Sequence, residues 1–211
     1  MDLARLFARK LIGANKFRWV FCQLEHMCDL PTDKDRRIAL KKLPPTLYEI
    51  YKRIVMRAQA RSVQARKILQ RTLKILAAAS FNYAPSNMMS KIREDVSVPD
   101  DSDVLDDDAI VDEEEILKIC GCLVRKTNSQ KSLEFAHFTV QEFLRDVCPT
   151  HPQLSAYGIS KENTNELLCY LCLRYLSLKN HEREPAATLS DFKRLVARNK
   201  SHPFYRYATR T

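Results

Sequence analysis

Glycine is scarce in this chain, with three residues in 211, at positions 13, 121 and 158. They lie too far apart to build a phosphate-cradling loop, and no G-x-x-x-x-G-K-[ST] occurs. ATP hydrolysis therefore has no home in these residues. A Gly-x-Ser-x-Gly nucleophile elbow is missing as well, which removes the α/β-hydrolase route to acyl transfer. No apolar run is long enough to cross a bilayer. The opening residues, MDLARLFARKLIG, carry charges where a secretory signal would be apolar, so the seven cysteines are expected as reduced thiols in the cytoplasm. Arg5, Arg9 and Lys10 against one acid also fit a mitochondrial presequence, a lesser reading of the same stretch.

Charge is abundant but segregated. Residues 94–115 hold twelve acids and no base, whereas the other 189 residues carry all 35 Lys and Arg against 14 acids. Residues 50–93 contribute ten bases and no acid. Blocks of opposite sign screen one another within a molecule, so a net charge of +9 does not by itself point to nucleic acid. Hydrophobic residues make up 45% of the chain, enough for a buried core. The shortage of glycine beside plentiful Leu, Ala, Ile, Lys and Arg favours helices.

The periodicity predicts a helix over 16–29 with Phe17, Val20, Phe21, Leu24 and Cys28 inward and Trp19 broadening that stripe. Asp33 is expected to cap a second helix through Leu43, and Thr46-x-x-Glu49 to start a third with Leu47, Ile50, Tyr51 and Ile54 inside. A helix from Ser62 to Ser80 should bury Ile68, Leu69, Thr72, Leu73, Leu76 and Ala79 and turn Arg66, Lys67, Arg71 and Lys74 outward. Pro85 and Ser86 open a short helix around Met88 to Ile92. Val98 to Asp108 reads as a solvated loop. Ser160 should cap a strong helix with Leu168, Leu171, Cys172, Tyr175 and Leu176 at helical spacing, in which Cys169 and Cys172 are core thiols. A further helix is expected near Leu189 to Arg198, and HPFYRYATRT begins another.

The rest is organised around Glu113 to Val147. A short amphipathic helix (Ile116, Leu117, Cys120) leads into a strand from Cys122 to Thr127, a turn at Asn128-Ser129, and a return strand from Leu133 to His137. Thr139-x-x-Glu142 has capping-box spacing, with Phe138 and Phe143 placed as a hydrophobic staple. His137 sits before this helix start, where an anion would meet backbone donors and the positive dipole end. Helix, hairpin and capped helix together outline a winged-helix core.

FAHFTVQEFL at 135–144, preceded by EEILKICGCLV, resembles the winged-helix segment that follows the ATPase domain of fungal NACHT proteins, which belong to the STAND class of signal-transducing ATPases. The same module is named after a GPI inositol-deacylase winged helix and is often followed by ankyrin repeats. KFRWVFCQLEHM at 16–27, LKKLPPTLYEIYKRI at 40–54 and HPFYRYA at 202–208 extend the resemblance over most of the chain. It implies a helical segment closing a NACHT-type nucleotide domain (1–60), a winged-helix domain (61–150, with an acidic loop at 94–112), and a helical linker toward a downstream region (151–211). It also implies that the chain is one piece of an ATP-dependent signalling switch of the innate-immunity or heterokaryon-incompatibility kind. In that family a Met-His-Asp-like motif starts a winged-helix-domain helix, and its histidine touches the β-phosphate of ADP. Ala136-His137-Phe138 occupies the place of that motif and keeps only the histidine.

The fold class expected is mainly α: a helical segment, a winged-helix domain with one small β-hairpin, then further helices. The function expected is a non-catalytic regulatory and protein-interaction module. Its partners would be the nucleotide domain and repeat sensor of a parent protein, or another protein, with oligomerisation on activation and no nucleic acid or membrane. No catalytic or metal-ligating residue is assigned, and no cofactor in this chain. His137 is the one binding residue, sensing ADP or ATP in the parent context. The rival is a winged-helix nucleic-acid-binding protein, disfavoured because the helix before the wing begins Asp112-Glu113-Glu114-Glu115. Asp106 to Asp108 as a Mg²⁺ site is disfavoured because no strand leads into them.

Overall fold

The computed structural model describes residues 17–28, 30–80, 89–127, 132–179 and 204–209, with single positions at 193, 196 and 202. The basic N-terminal stretch, the Pro85-Ser86 helix opening, the Asn128-Ser129 turn and nearly all of the Leu189 to Arg198 helix fall outside them. Among the described residues the chain is mainly helical with one two-stranded antiparallel sheet, and it divides into two compact units, Met1–Met56 and Arg57–Thr211.

In the first unit, α1 (Phe17–Cys28) is followed by α2 (Asp33–Lys41) and by the start of α3 (Leu47–Arg61), within which the division falls. The inward face of α1 differs from the expected one. Phe21 is 50% and Leu24 47% exposed, and Cys28 is exposed, while Trp19 and Gln23 are buried. Trp19 explains the rotation. It is the largest side chain of the helix, and its indole N–H needs an acceptor inside, which the Pro44 carbonyl supplies at 2.8 Å. Thr32, not Asp33, caps α2: its hydroxyl oxygen accepts the Asp35 N–H at 3.1 Å, and Asp33 lies in the first turn. Thr46 takes the Glu49 N–H at 3.2 Å at the start of α3, whose Ile50, Tyr51 and Ile54 are buried.

The second unit is built around α4 (Val63–Ser80). Against it pack α5 (Met89–Ser97), α6 (Glu113–Cys120), the strand β2 (Leu133–Phe135) and α8 (Lys161–Leu176). Because α4 has neighbours on several sides, it is buried almost all round from Ile68 to Ala78, and Arg71 is 4% exposed instead of outward. A periodicity argument assumes one wet face, which a central helix lacks. On α8 the stripe Leu168, Leu171, Cys172 and Tyr175 is buried. Cys169 lies about 100° away around the helix and is exposed, as is Leu173 at 71%, so the two thiols of Cys169-x-x-Cys172 have separate environments.

Helix α6 ends at Gly121, whose φ of 50° is the left-handed backbone that favours glycine at a helix terminus. A 3₁₀ turn over Gly121–Leu123 follows, so the first strand is shorter than expected: β1 is Val124–Lys126. It pairs antiparallel with β2, with Val124 opposite Phe135, Arg125 opposite Glu134 and Lys126 opposite Leu133. One backbone bond extends the ladder at each end, Thr127 N–H to Ser132 and Ala136 N–H to Leu123.

The acidic stretch is not a freely solvated loop. Val98 and Leu105 are buried, and Asp100 is held by bases of α4 and α8's Tyr170. Arg71 donates to the Val96 and Val98 carbonyls and, at 2.6 Å, to Asp100; Lys67 pairs with the same carboxylate. From α8, Arg174 donates to the carbonyls of Pro99 and Ser102. The chain's end returns to the same unit as α9 (Tyr205–Ala208), where buried Phe204 meets Tyr175 edge-on at 4.9 Å. The Phe204 N–H donates to the buried carboxylate of Glu94 at 2.8 Å.

Candidate functional site

The candidate site is the junction between β2 and α7 (Phe138–Glu142), a helix that continues as a π turn over Phe143–Val147. The cap is His137, not Thr139. With φ −162° and ψ 153° it stands in extended backbone, its carbonyl accepts the Val140 N–H at 3.0 Å, and its imidazole Nδ1 accepts the Thr139 N–H at 3.4 Å. Thr139 lies inside the helix, with Oγ1 2.9 Å from the same nitrogen. The expected Thr139-x-x-Glu142 cap therefore gives way to a single-residue cap two positions earlier. The staple is also absent: Phe143 is fully buried, but Phe138 is 62% exposed and leans on the imidazole instead, ring centres 4.3 Å apart at 37°. The reason is local. A ring nitrogen that already satisfies a first-turn N–H does the work of a Ser or Thr cap and starts the helix at the histidine.

A neutral ring that accepts at Nδ1 carries its proton on Nε2, so the second nitrogen is a donor. The ring is only part-buried, and Ala136 before it is in the core. The helix behind it is anchored by buried Val140, Phe143 and Leu144. In the π turn the Cys148 N–H reaches back five residues to Phe143. The Leu144 carbonyl instead takes the Ile159 N–H at 3.1 Å, which ties this helix to the segment leading into α8.

Both described bases of the hairpin strands are paired. Arg125 pairs with Glu134 across the strands at 2.8 Å, and Lys126 pairs with Glu113 of α6. Arg61 at the end of α3 lies 3.3 Å from Glu115 of the same helix. Among the described residues no cluster of His, Cys, Asp or Glu is placed to hold a metal, and none of their helices is long and apolar enough to cross a membrane. Burial pushes the Cys120 and Cys148 thiols up to about 12, far from the range of a reactive thiolate.

Three features escaped the sequence reading. Arg71 is buried where an outer-face position is expected, although pairing with the acidic stretch is one of the two roles, solvated face or partner of that stretch, that the bases at 52–74 suggest. Glu94, buried at 4%, gave no signal, because its partners Tyr175 and Phe204 lie far along the chain. The third is a groove between the start of α4 and the segment Asp108–Asp112, floored by Ala65, Ile68 and Ile119.

These features define a mainly helical protein with, among the described residues, a single small hairpin and a histidine-capped helix after it. Comparisons with protein-family models, with curated proteins and with solved structures found no match for the chain.

Proposed function

We propose that the chain is a non-catalytic, cytoplasmic regulatory and interaction module of a NACHT-type signalling ATPase. In this reading α4, α5 and α6 are the three helices of a winged helix, β1 and β2 are its wing, and His137 reads the diphosphate of a nucleotide held by a separate domain. The observation that carries the proposal is the pairing of His137 Nδ1 with Thr139, which leaves Nε2 as the ring nitrogen available to a ligand; in the tautomer that accepts the Thr139 N–H, Nε2 is a donor for a phosphate oxygen. Such a contact would favour the ADP-bound resting state, and its loss on activation would release the module. The rival, nucleic-acid binding, is less well supported. Arg125 and Lys126 of the wing are both engaged by carboxylates, and the helix before the wing opens with Glu113, Glu114 and Glu115.

The test begins with the transcript. Sequencing beyond codons 1 and 211 is expected to reveal a P-loop upstream and repeats downstream; a transcript bounded by these codons would sink the proposal. In the extended protein, His137→Gln is expected to lower the ADP retained on purification relative to wild type. Equal retention would remove His137 from the sensing role. Tight binding of non-specific duplex DNA at moderate salt in a gel-shift would favour the rival.

A further inference from the structure

The groove within the second unit has a chemistry that the nucleotide reading does not use. Its volume is about 430 Å³, and it opens to solvent over a floor of buried Ala65, Ile68 and Ile119, with Ile110 beside them. One rim is acidic. Asp108 and Asp112 line it, and Asp106 and Asp107 stand exposed next to them in the chain. Asp106, Asp107 and Asp108 form no ion pair with any described residue. The opposite rim is the corner between α3 and α4, where Arg61, Ser62 and Gln64 line the groove.

That corner also carries a knob. Val63 is 71% exposed, the most exposed large hydrophobic residue alongside Leu173. It is held rigidly at the first helical position of α4, because the Ser62 hydroxyl accepts the Ala65 N–H at 3.0 Å. Arg57 and Arg66 flank it in the chain, both exposed and neither paired with a described acid. The corner thus presents an exposed apolar residue with the unpaired Arg66 one helical turn further on, and directly beside it lies an apolar hollow bordered by the unpaired Asp108, while Asp112 and Glu115 of its lining are engaged by Arg93 and Arg61.

We propose that the occupant of the groove is a second copy of this chain. The pattern is self-complementary in the way a two-fold interface requires, since each copy offers both the knob and the hollow. Val63 of one protomer enters the floor of the other, while Arg57 and Arg66 face the partner's acidic rim, and the reciprocal contacts form at the same time. Burying the valine supplies attraction, and the rim charges set orientation and salt dependence. This inference does not depend on the role of His137.

Sedimentation analysis of the full chain tests it. A dimer is expected at low salt, dissociating as salt rises. Val63→Asp should yield a monomer. So should Arg57→Glu with Arg66→Glu, and so should Asp106→Lys with Asp107→Lys and Asp108→Lys, each weakening association at least about tenfold. Mixing those two charge-reversed proteins in equal amounts should restore a dimer, because each mutated face then meets its new complement. All six positions are exposed, and circular dichroism checks that the fold survives. A wild type monomeric at every concentration, a dimer indifferent to all three variants, or no restoration on mixing would each overturn the proposal. A monomer that instead bound a Lys-rich amphipathic peptide would assign the groove to a different protein and overturn it equally.

Discussion

Replacing Arg71 by methionine should destabilise the second unit by about 2–4 kcal/mol, although the guanidinium has only one carboxylate partner at 2.6 Å. The Arg71 side chain is 5% exposed, and it supplies hydrogen bonds to the carbonyls of Val96 and Val98, both residues being fully buried. Methionine fills similar volume but leaves two dry acceptors unmet, at about 1–3 kcal/mol each. Losing the attraction to Asp100 adds less than about 1 kcal/mol, because that side chain is 39% exposed and water replaces the lost partner. Against this, the variant no longer desolvates a charge, which offsets a few kcal/mol. That desolvation already holds the Arg71 pKa below its usual value, despite the opposing charge of Asp100. Urea unfolding gives the shift in midpoint, with Lys67→Met as control, expected within about 1 kcal/mol of wild type. Amide exchange in residues 98–105 should accelerate in Arg71→Met alone. Unchanged stability and unchanged exchange would show that the acidic segment is held by its own buried Val98 and Leu105, and would refute the reasoning.

Two further outcomes follow from the same structure. At Asp100, burial works to raise the carboxyl pKa, but the Lys67 hydrogen bond, the Arg71 charge and the Tyr170 hydroxyl outweigh it and hold it below the usual value. A depressed folded pKa stabilises fully above the unfolded pKa, about 3.9, and the benefit fades as pH falls through the folded value. The stability difference between wild type and Asp100→Asn should therefore be largest above about pH 5 and shrink toward pH 3; a difference that grows in acid would contradict this electrostatic account. For the thiols, a charged alkylating reagent on the native protein should modify exposed Cys28 and Cys169 and spare buried Cys120 and Cys148 until unfolding. Mass mapping that found Cys148 labelled as fast as Cys169 would show that this core opens readily.

Helix positions were legible wherever one face is wet. Ile116 and Cys120 of α6, and Leu168, Leu171, Cys172 and Tyr175 of α8, are buried as helical spacing suggests, while Leu117 and Leu176 are half-buried and Ile119 takes the inner place on α6; Ser160 caps α8 in a reciprocal pair of bonds with Asn163. Legibility failed where a single polar group overrode the pattern. Trp19 turned α1 by seeking the Pro44 carbonyl, and His137 started α7 two residues early by capping it. It failed again on α4, where neighbours on several sides erase the polar face that periodicity needs. At the candidate site, the position of His137 before a helix could be read from the chain. The partner of its Nδ1 could not, because Thr139 was read as the cap itself. The groove was invisible, since Ala65 and Ile68 lie 40 or more residues from Asp108 and Asp112.

The cap at His137 also changes what the residue can testify to. Its ring holds the first turn of α7 whether or not a phosphate ever approaches, so drift that erased every trace of ligand binding would still meet resistance at this position. A residue retained for two reasons outlives the loss of either one. Substitution by asparagine separates them, because its side-chain oxygen can accept the same N–H while the distal ring donor disappears. Where asparagine is tolerated, the helix was the reason for the histidine; where only histidine serves, the second nitrogen was.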